Sequence, residues 1–274
     1  MTHTPFDSDA ARAATQNSQQ LPSAVFARTA DNPGMNEVAP EASRHDQPDP
    51  SDEALVDQAG RALGPRALQT RRKILEAAVS LLAEKPMRDM RVIDIARQIG
   101  SSPATFYQYF KDVEDVVLHL AGQAKEATPI MVDLIGGDWE GEAGFERGKK
   151  LSNLVIDHWE KFAPVLRARN NASDEGNVAL REERMAAMVP LVDAFRAALE
   201  RSQAKAAEAA EAVDPQDGVW RGGPVDPLVG ATALSSCLER TAMYHSWIKD
   251  MGSSREQLVE TTAAFLQGML AIRR

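Results

Sequence analysis

The chain has 274 residues, 43% hydrophobic but only 5% aromatic, with one cysteine and a formal net charge of −9. This is enough apolar material for one or two domains, and its many alanines favour helices over a β-sandwich. One cysteine excludes an internal disulfide framework and suits a reducing compartment. No apolar run reaches the roughly 18 residues of a membrane span, and the first residues lack the basic start and apolar stretch of a secretion signal, so a cytoplasmic protein is expected.

The acidic total argues against a nucleic-acid partner until its distribution is read. Residues 1–60 carry three basic and ten acidic side chains, a balance of −7, and residues 112–274 balance at −8. Between them, residues 61–111 carry ten basic and four acidic side chains, a balance of +6. The Debye length is about 8 Å at physiological salt, so a basic module this far from the acids acts locally.

Residues 1–63 hold six prolines (Pro5, Pro22, Pro33, Pro40, Pro48 and Pro50) and no sustained apolar period. Such a segment cannot bury enough surface to offset its ordering entropy, and a disordered acidic tail is expected. Order should begin near Gly64-Pro65, proline being suited to a first helical position. Ile74, Leu75, Ala78, Leu81 and Leu82 then mark one face of a helix over about 66–84, stopped by Pro86. Arg66, Arg71, Arg72 and Lys73 occupy its other face, as phosphate contacts or as an ordinary wet surface.

Val92, Ile95, Ala96 and Ile99 give the second helix a buried stripe, and Gly100 supplies a left-handed closing turn. Ser102 is a good N-cap and Pro103 fits the first position of a third helix, with Phe106 and Phe110 spaced for the core. Two short helices joined by a tight glycine turn form a helix-turn-helix, whose second helix enters the major groove. Thr105, Tyr107, Gln108 and Tyr109 are left on its other faces, suited to phosphates or base edges; the alternative for the tyrosines is completion of a small core. Asp112, with Asp115 three residues on, caps a fourth helix to about residue 127.

Beyond Pro129 the pattern stays helical, and no strand is required. Gly136, Gly137, Gly141 and Gly144 mark a loop. Helices are expected over 145–162 and 164–170, a loop over 170–176, and a long helix over 175–213 bent near Pro190. A Pro/Gly loop over 214–227 follows, then a helix capped by Asp226 to about Lys249, and a last one from Ser254 to about Ile272. The fold class is all-α, with a helix-turn-helix DNA-binding domain at 64–111 and a helical domain at 112–274.

The stretch Arg71 to His119 resembles the DNA-binding domain of TetR-family transcriptional regulators. The resemblance rests on Ile74-Leu75-x-Ala77-Ala78, Asp94-Ile95-Ala96, and Ser102-x-Ala104-Thr105-Phe106-Tyr107-x-Tyr109-Phe110, followed by Lys111 and Glu114-Asp115. It implies a homodimer that binds double-stranded operator DNA, with a helical second domain that takes a small molecule and releases the DNA. Ser102, Pro103, Ala104 and Thr105 fall at the groove-facing start of the recognition helix, and Tyr107, Tyr109 and Lys111 match phosphate-contacting positions. Arg91 departs from the usual capping Thr or Ser, exchanging a cap for a phosphate-seeking cation, and Ser101 departs from a small apolar residue. Pro86 and Glu239-Arg240-Thr241 are similar to the ethionamide-resistance regulator branch, whose channel-lining asparagines correspond to Ser235 and Leu238 here.

The expected protein is therefore a dimeric regulator, in the repressing sense, released from a palindromic operator by a lipophilic effector. Candidate effector contacts are Trp159, Phe162, Met185, Met188, Phe195, Leu238, Met243 and Trp247, types suited to an apolar cavity or to plain core. The last two helices are expected to pair with a partner's, as the family does. An enzyme would need groups such as Asp157-His158 or His245, but no nucleophile elbow, zinc spacing or phosphate-cradling loop accompanies them. A metal or redox sensor would rely on His119, His158, His245 and Cys237, which are far apart in sequence. No cofactor or metal is expected.

Overall fold

In the computed structural model, residues 56–211 and 225–271 are described. The expectations for the acidic tail up to residue 55, for most of the 214–227 loop and for the last three residues lie outside them. No named strand occurs among the described residues, only an isolated bridge between Val56 and Ala62. All of them fall in one compact unit, 49–274.

Order begins earlier than expected. The Asp57 carboxylate accepts the backbone N–H groups of Ala59 and Arg61, both at 2.9 Å, closing a small turn over residues 57–61. Gln58 then fastens this turn to the reading head, its N–H donating to Gln108 O at 3.0 Å and its side-chain amide to Tyr109 O at 3.3 Å. Residues 57–61 thus lie against the reading head on the N-terminal side of residue 63. Side chain-to-backbone bonds in a turn leave no periodic trace in a sequence.

The head is made of short helices with chemically explicit ends. Helix α1 (Pro65–Glu84) starts on its proline and ends at Lys85, held extended ahead of Pro86. Helix α2 (Val92–Gln98) follows a single 3-10 turn. Gly100 closes it with φ +66°, and Ser101 N–H reaches back to Ala96 O at 2.8 Å. Helix α3 (Pro103–Phe106) is capped by Ser102, whose hydroxyl accepts the Thr105 N–H at 3.2 Å, and turns continue to Phe110. Helix α4 (Val113–Lys125) is capped by Asp112 at 2.9 Å. Their shared core holds Ile74, Ala78, Ile95, Phe106, Phe110 and Val116.

The body follows packing more than local signals. Helix α5 (Thr128–Ile135) leads into α6 (Gly141–Asp174), a single 34-residue helix where two helices and a loop were expected. Pro164 has no N–H for the Glu160 carbonyl, a defect that costs about 3 kcal/mol. Trp159, Val165, Leu166, Ala168 and Ala172 are buried on both sides of it, and that burial outweighs the defect. Helix α7 (Val178–Glu211) likewise contains Pro190. Helix α8 (Pro227–Met243) is capped by Asp226 but stops six residues short of Lys249, and α9 (His245–Asp250) follows as a separate short helix. Helix α10 (Arg255–Leu270) starts on Ser254 in a reciprocal capping box with Gln257. The body core gathers Trp139, Leu151, Trp159, Phe195, Leu234 and Leu266.

Helix α6 belongs to both regions. Its Val165 is buried in the head core, while Leu151, Trp159 and Leu166 belong to the body core. Polar contacts reinforce the join: Arg88 to Glu175 at 2.8 Å, Asn177 to Glu114 at 2.7 Å and Lys125 to Glu183 at 3.0 Å.

Candidate nucleic-acid interface and interior cavity

At the start of α3, Ser102 and Ala104 are exposed, while Pro103 and Thr105 are half-buried. The Ser102 and Thr105 hydroxyls lie 3.2 Å apart, so the cap also fixes the threonine. Tyr107 is 53% exposed, its ring edge-on to Phe106 at 5.6 Å, which steadies the ring and leaves much of it open to solvent. Tyr109 is half-buried and packs against the head core, so it takes in part the core-completing role that was its alternative. Lys111 is exposed, and its backbone N–H is held by Asp115 at 2.9 Å.

Arg91 and Arg71 differ in what they have available. Arg91 is exposed and lies 3.3 Å from Asp94, which also accepts Lys85 Nζ at 2.8 Å. The Lys85 bond, then the Arg91 bond, hold the Asp94 carboxyl well below the usual carboxylate range. Helix α2 therefore opens on a carboxylate shared by two cations, with Asp94 also accepting the Arg91 N–H at 3.2 Å. Arg71 instead turns inward. Its guanidinium lies 4.9 Å over the Phe110 ring, with Nη2 3.1 Å from the His119 ring nitrogens. Burial, then the charge of Arg71, pushes His119 down to about 4, so its neutral ring accepts an Arg71 N–H. The exposed cations of α1 are Arg66, Arg72 and Lys73.

The body encloses a cavity of about 60 Å³ between α4, α5, α6, α7 and α8. Of the candidate effector contacts, Trp159, Met188, Phe195 and Leu238 line it. Phe162 and Met243 pack against the surrounding core without lining it. Met185, 46% exposed, and Trp247, 60% exposed, lie at the surface instead. Their apolar type carried no information about which face of the helix is covered.

Reading for large apolar side chains missed the polar part of the wall: Lys125, Thr128, His158, Arg169 and Glu239, besides Ser235. The signal was one of register. Arg169 stands seven residues after Phe162 and three after Leu166, on the buried stripe where a cation is out of place. Burial first, then Arg169 and Lys161, push His158 down to about 4. No group of three or more His, Cys, Asp or Glu side chains among the described residues forms a metal cluster. No helix there is long and apolar enough to cross a membrane.

The family model described as bacterial regulatory proteins, tetR family, matches residues 74–120, and the model for the tetracyclin repressor-like C-terminal domain matches residues 131–253. The chain belongs to the TetR family. The first match contains the helix-turn-helix, and the second contains most of the cavity wall. Among solved structures, Salmonella enterica GusR is similar at 19% identity, covering 76% of this chain and 97% of its own, with a TM-score of 0.53. The fatty acid degradation regulator FadR from Bacillus halodurans is 22% identical over 78% of this chain and 100% of its own, at a TM-score of 0.49. The GusR likeness supports the fold. As a TetR-family member the chain is a DNA-binding transcriptional regulator.

Proposed function

We propose that this TetR-family chain acts as a homodimeric repressor released from a palindromic operator by a small effector bound in the body cavity. Residues 64–111 form the reading module, and 112–274 bind the effector and dimerise. Such work on operator DNA takes place in the cytoplasm. Ser102, Pro103, Ala104 and Thr105 enter the groove, while Tyr107, Tyr109, Lys111 and Arg91 meet the backbone, and Arg71 acts by bracing Phe110.

The observation that carries this reading is the dual membership of α6. One helix lines the cavity with Leu151, Val155, Trp159 and Leu166 and also plugs the head core with Val165. A ligand that fits only one placement of α6 shifts the population of head placements, and with it DNA affinity. The lining is largely apolar, which supports a lipophilic effector.

The dimer is supported by apolar side chains left outside on α8 and α10: Leu228 and Val229 on one, Phe265 on the other, with small Ala264 and Gly268 beside it. Two such helices from each chain suit a four-helix interface. Selection of bound duplexes from a random pool tests the proposal. It should yield inverted repeats with half-site centres about 34–36 Å apart. Recovery of unrelated sequences, or of single half-sites, would contradict it.

A further inference from the structure

The cavity wall is mostly apolar, with Lys125 on α4 and Thr128 on α5 among its polar members and a larger polar group where α6 meets α8. There Arg169 and Ser235 are each only 4% exposed, and both line the cavity. Arg169 donates from Nε and Nη2 to a single acceptor, Asn170 Oδ1, at 3.1 and 3.0 Å. Asn170 in turn donates to Glu239 Oε1 at 3.2 Å, so an amide separates the guanidinium from the carboxylate. The Ser235 hydroxyl has no hydrogen-bond partner among the described residues.

A buried guanidinium hydrogen-bonded only to a neutral amide, with the Glu239 and Glu183 carboxylates acting on it without direct contact and an unpaired buried hydroxyl beside it, is an arrangement that folding alone does not favour. Burial weakens Arg169's hold on its proton, in the same sense. The neighbouring groups do not share the task. His158 is neutral near pH 7, and Lys125 is already paired with Glu183 at 3.0 Å. Among the lining groups, Arg169 supplies a charged donor and Ser235 an unpartnered buried hydroxyl.

We infer that the effector is a small amphipathic carboxylate: its carboxylate accepts N–H groups of Arg169 and the hydroxyl of Ser235, and its apolar body lies against Trp159, Phe195 and Leu238. The inference rests on the cavity being the effector site and adds the ligand's chemistry. A monoanion fits better than a phosphate ester, because Glu239 on the same wall repels a second negative charge. The volume of about 60 Å³ suits a short body, with half-buried Met188 and Leu191 able to yield to a longer one.

The test is calorimetric titration of the full chain with butyrate, hexanoate and phenylacetate, set against hexanol, hexanamide and hexyl phosphate. At least one carboxylate should bind about tenfold or more tightly than its neutral isostere and than the phosphate ester, as a charge-assisted pair predicts. Ser235→Ala should weaken that carboxylate about tenfold while leaving hexanol unchanged, and Arg169→Gln, checked for helicity by circular dichroism, should erase the preference. A series in which no carboxylate is preferred over its neutral isostere overturns the inference, as does tighter binding of the phosphate ester, absence of carboxylate binding, or a Ser235→Ala chain with its preference intact. Release of selected operator DNA is followed in parallel. Release by hexanol but not by carboxylates defeats this inference and leaves the regulator reading standing. Carboxylate binding without any effect on DNA defeats the proposed effector release and leaves the ligand chemistry standing.

Discussion

The head and the body of this molecule are both helical, yet different forces set their boundaries. In the head, single residues decide: Pro65, Gly100, Ser102, Pro103 and Asp112 each begin or end a helix through a φ restriction or one hydrogen bond. In the body, α6 and α7 run 34 residues each and pass through Pro164 and Pro190. Short helices have little surface to bury, so local chemistry governs them; a long helix covered on several sides tolerates a defect worth about 3 kcal/mol. The two regions also differ inside. The head core gathers apolar side chains, whereas the body keeps a cavity with Arg169 and Ser235 on its wall.

This contrast can be broken by experiment. The largest effect is expected from Phe106→Ala, which empties the fully buried centre of the head and should cost about 3–5 kcal/mol in denaturant unfolding. In the body, Gly148→Val should cost about 1–3 kcal/mol. A Cβ there already meets Ala263 Cα at 3.0 Å, so α6 and α10 must part. A thermal melt unchanged by that substitution would show that close packing does not define the body.

Acid should weaken both regions. The His119 and His158 rings are pushed down to about 4, below the roughly 6.5 of a free chain, so the unfolded state binds more protons between those values. Their contribution is complete above about pH 6.5 and is lost as pH falls toward 4. Urea midpoints measured across that window should decline, and His119→Gln should remove the head's share of the decline.

Smaller changes sharpen the head. Ser102→Ala removes one cap and should cost about 1 kcal/mol in stability. Lys111→Ala should barely alter folding but lower the salt dependence of DNA binding by about one contact, read from affinity against salt concentration. Changing exposed Ala104 should instead alter sequence preference, seen in the selected pool.

What the sequence makes legible follows the same division. The helix-turn-helix and its caps can be read in order because each signal is local. The pass through Pro164 cannot, since it depends on burial from other helices. The break at Tyr244 is likewise hidden, because residues on both sides of it keep helical preferences. The cavity was half legible: Trp159, Met188, Phe195 and Leu238 lie on it, but Met185 and Trp247 have the same chemistry and face out. Arg169 was overlooked because a cation is read as surface by default. Its place on an apolar stripe is the sign that it is interior.

The proposed function requires two reading heads to act together on one operator. Sedimentation equilibrium of the full chain with a selected duplex tests this most directly. Two chains per palindromic duplex are expected; a single bound chain, or no complex at all, would overturn the dimeric reading.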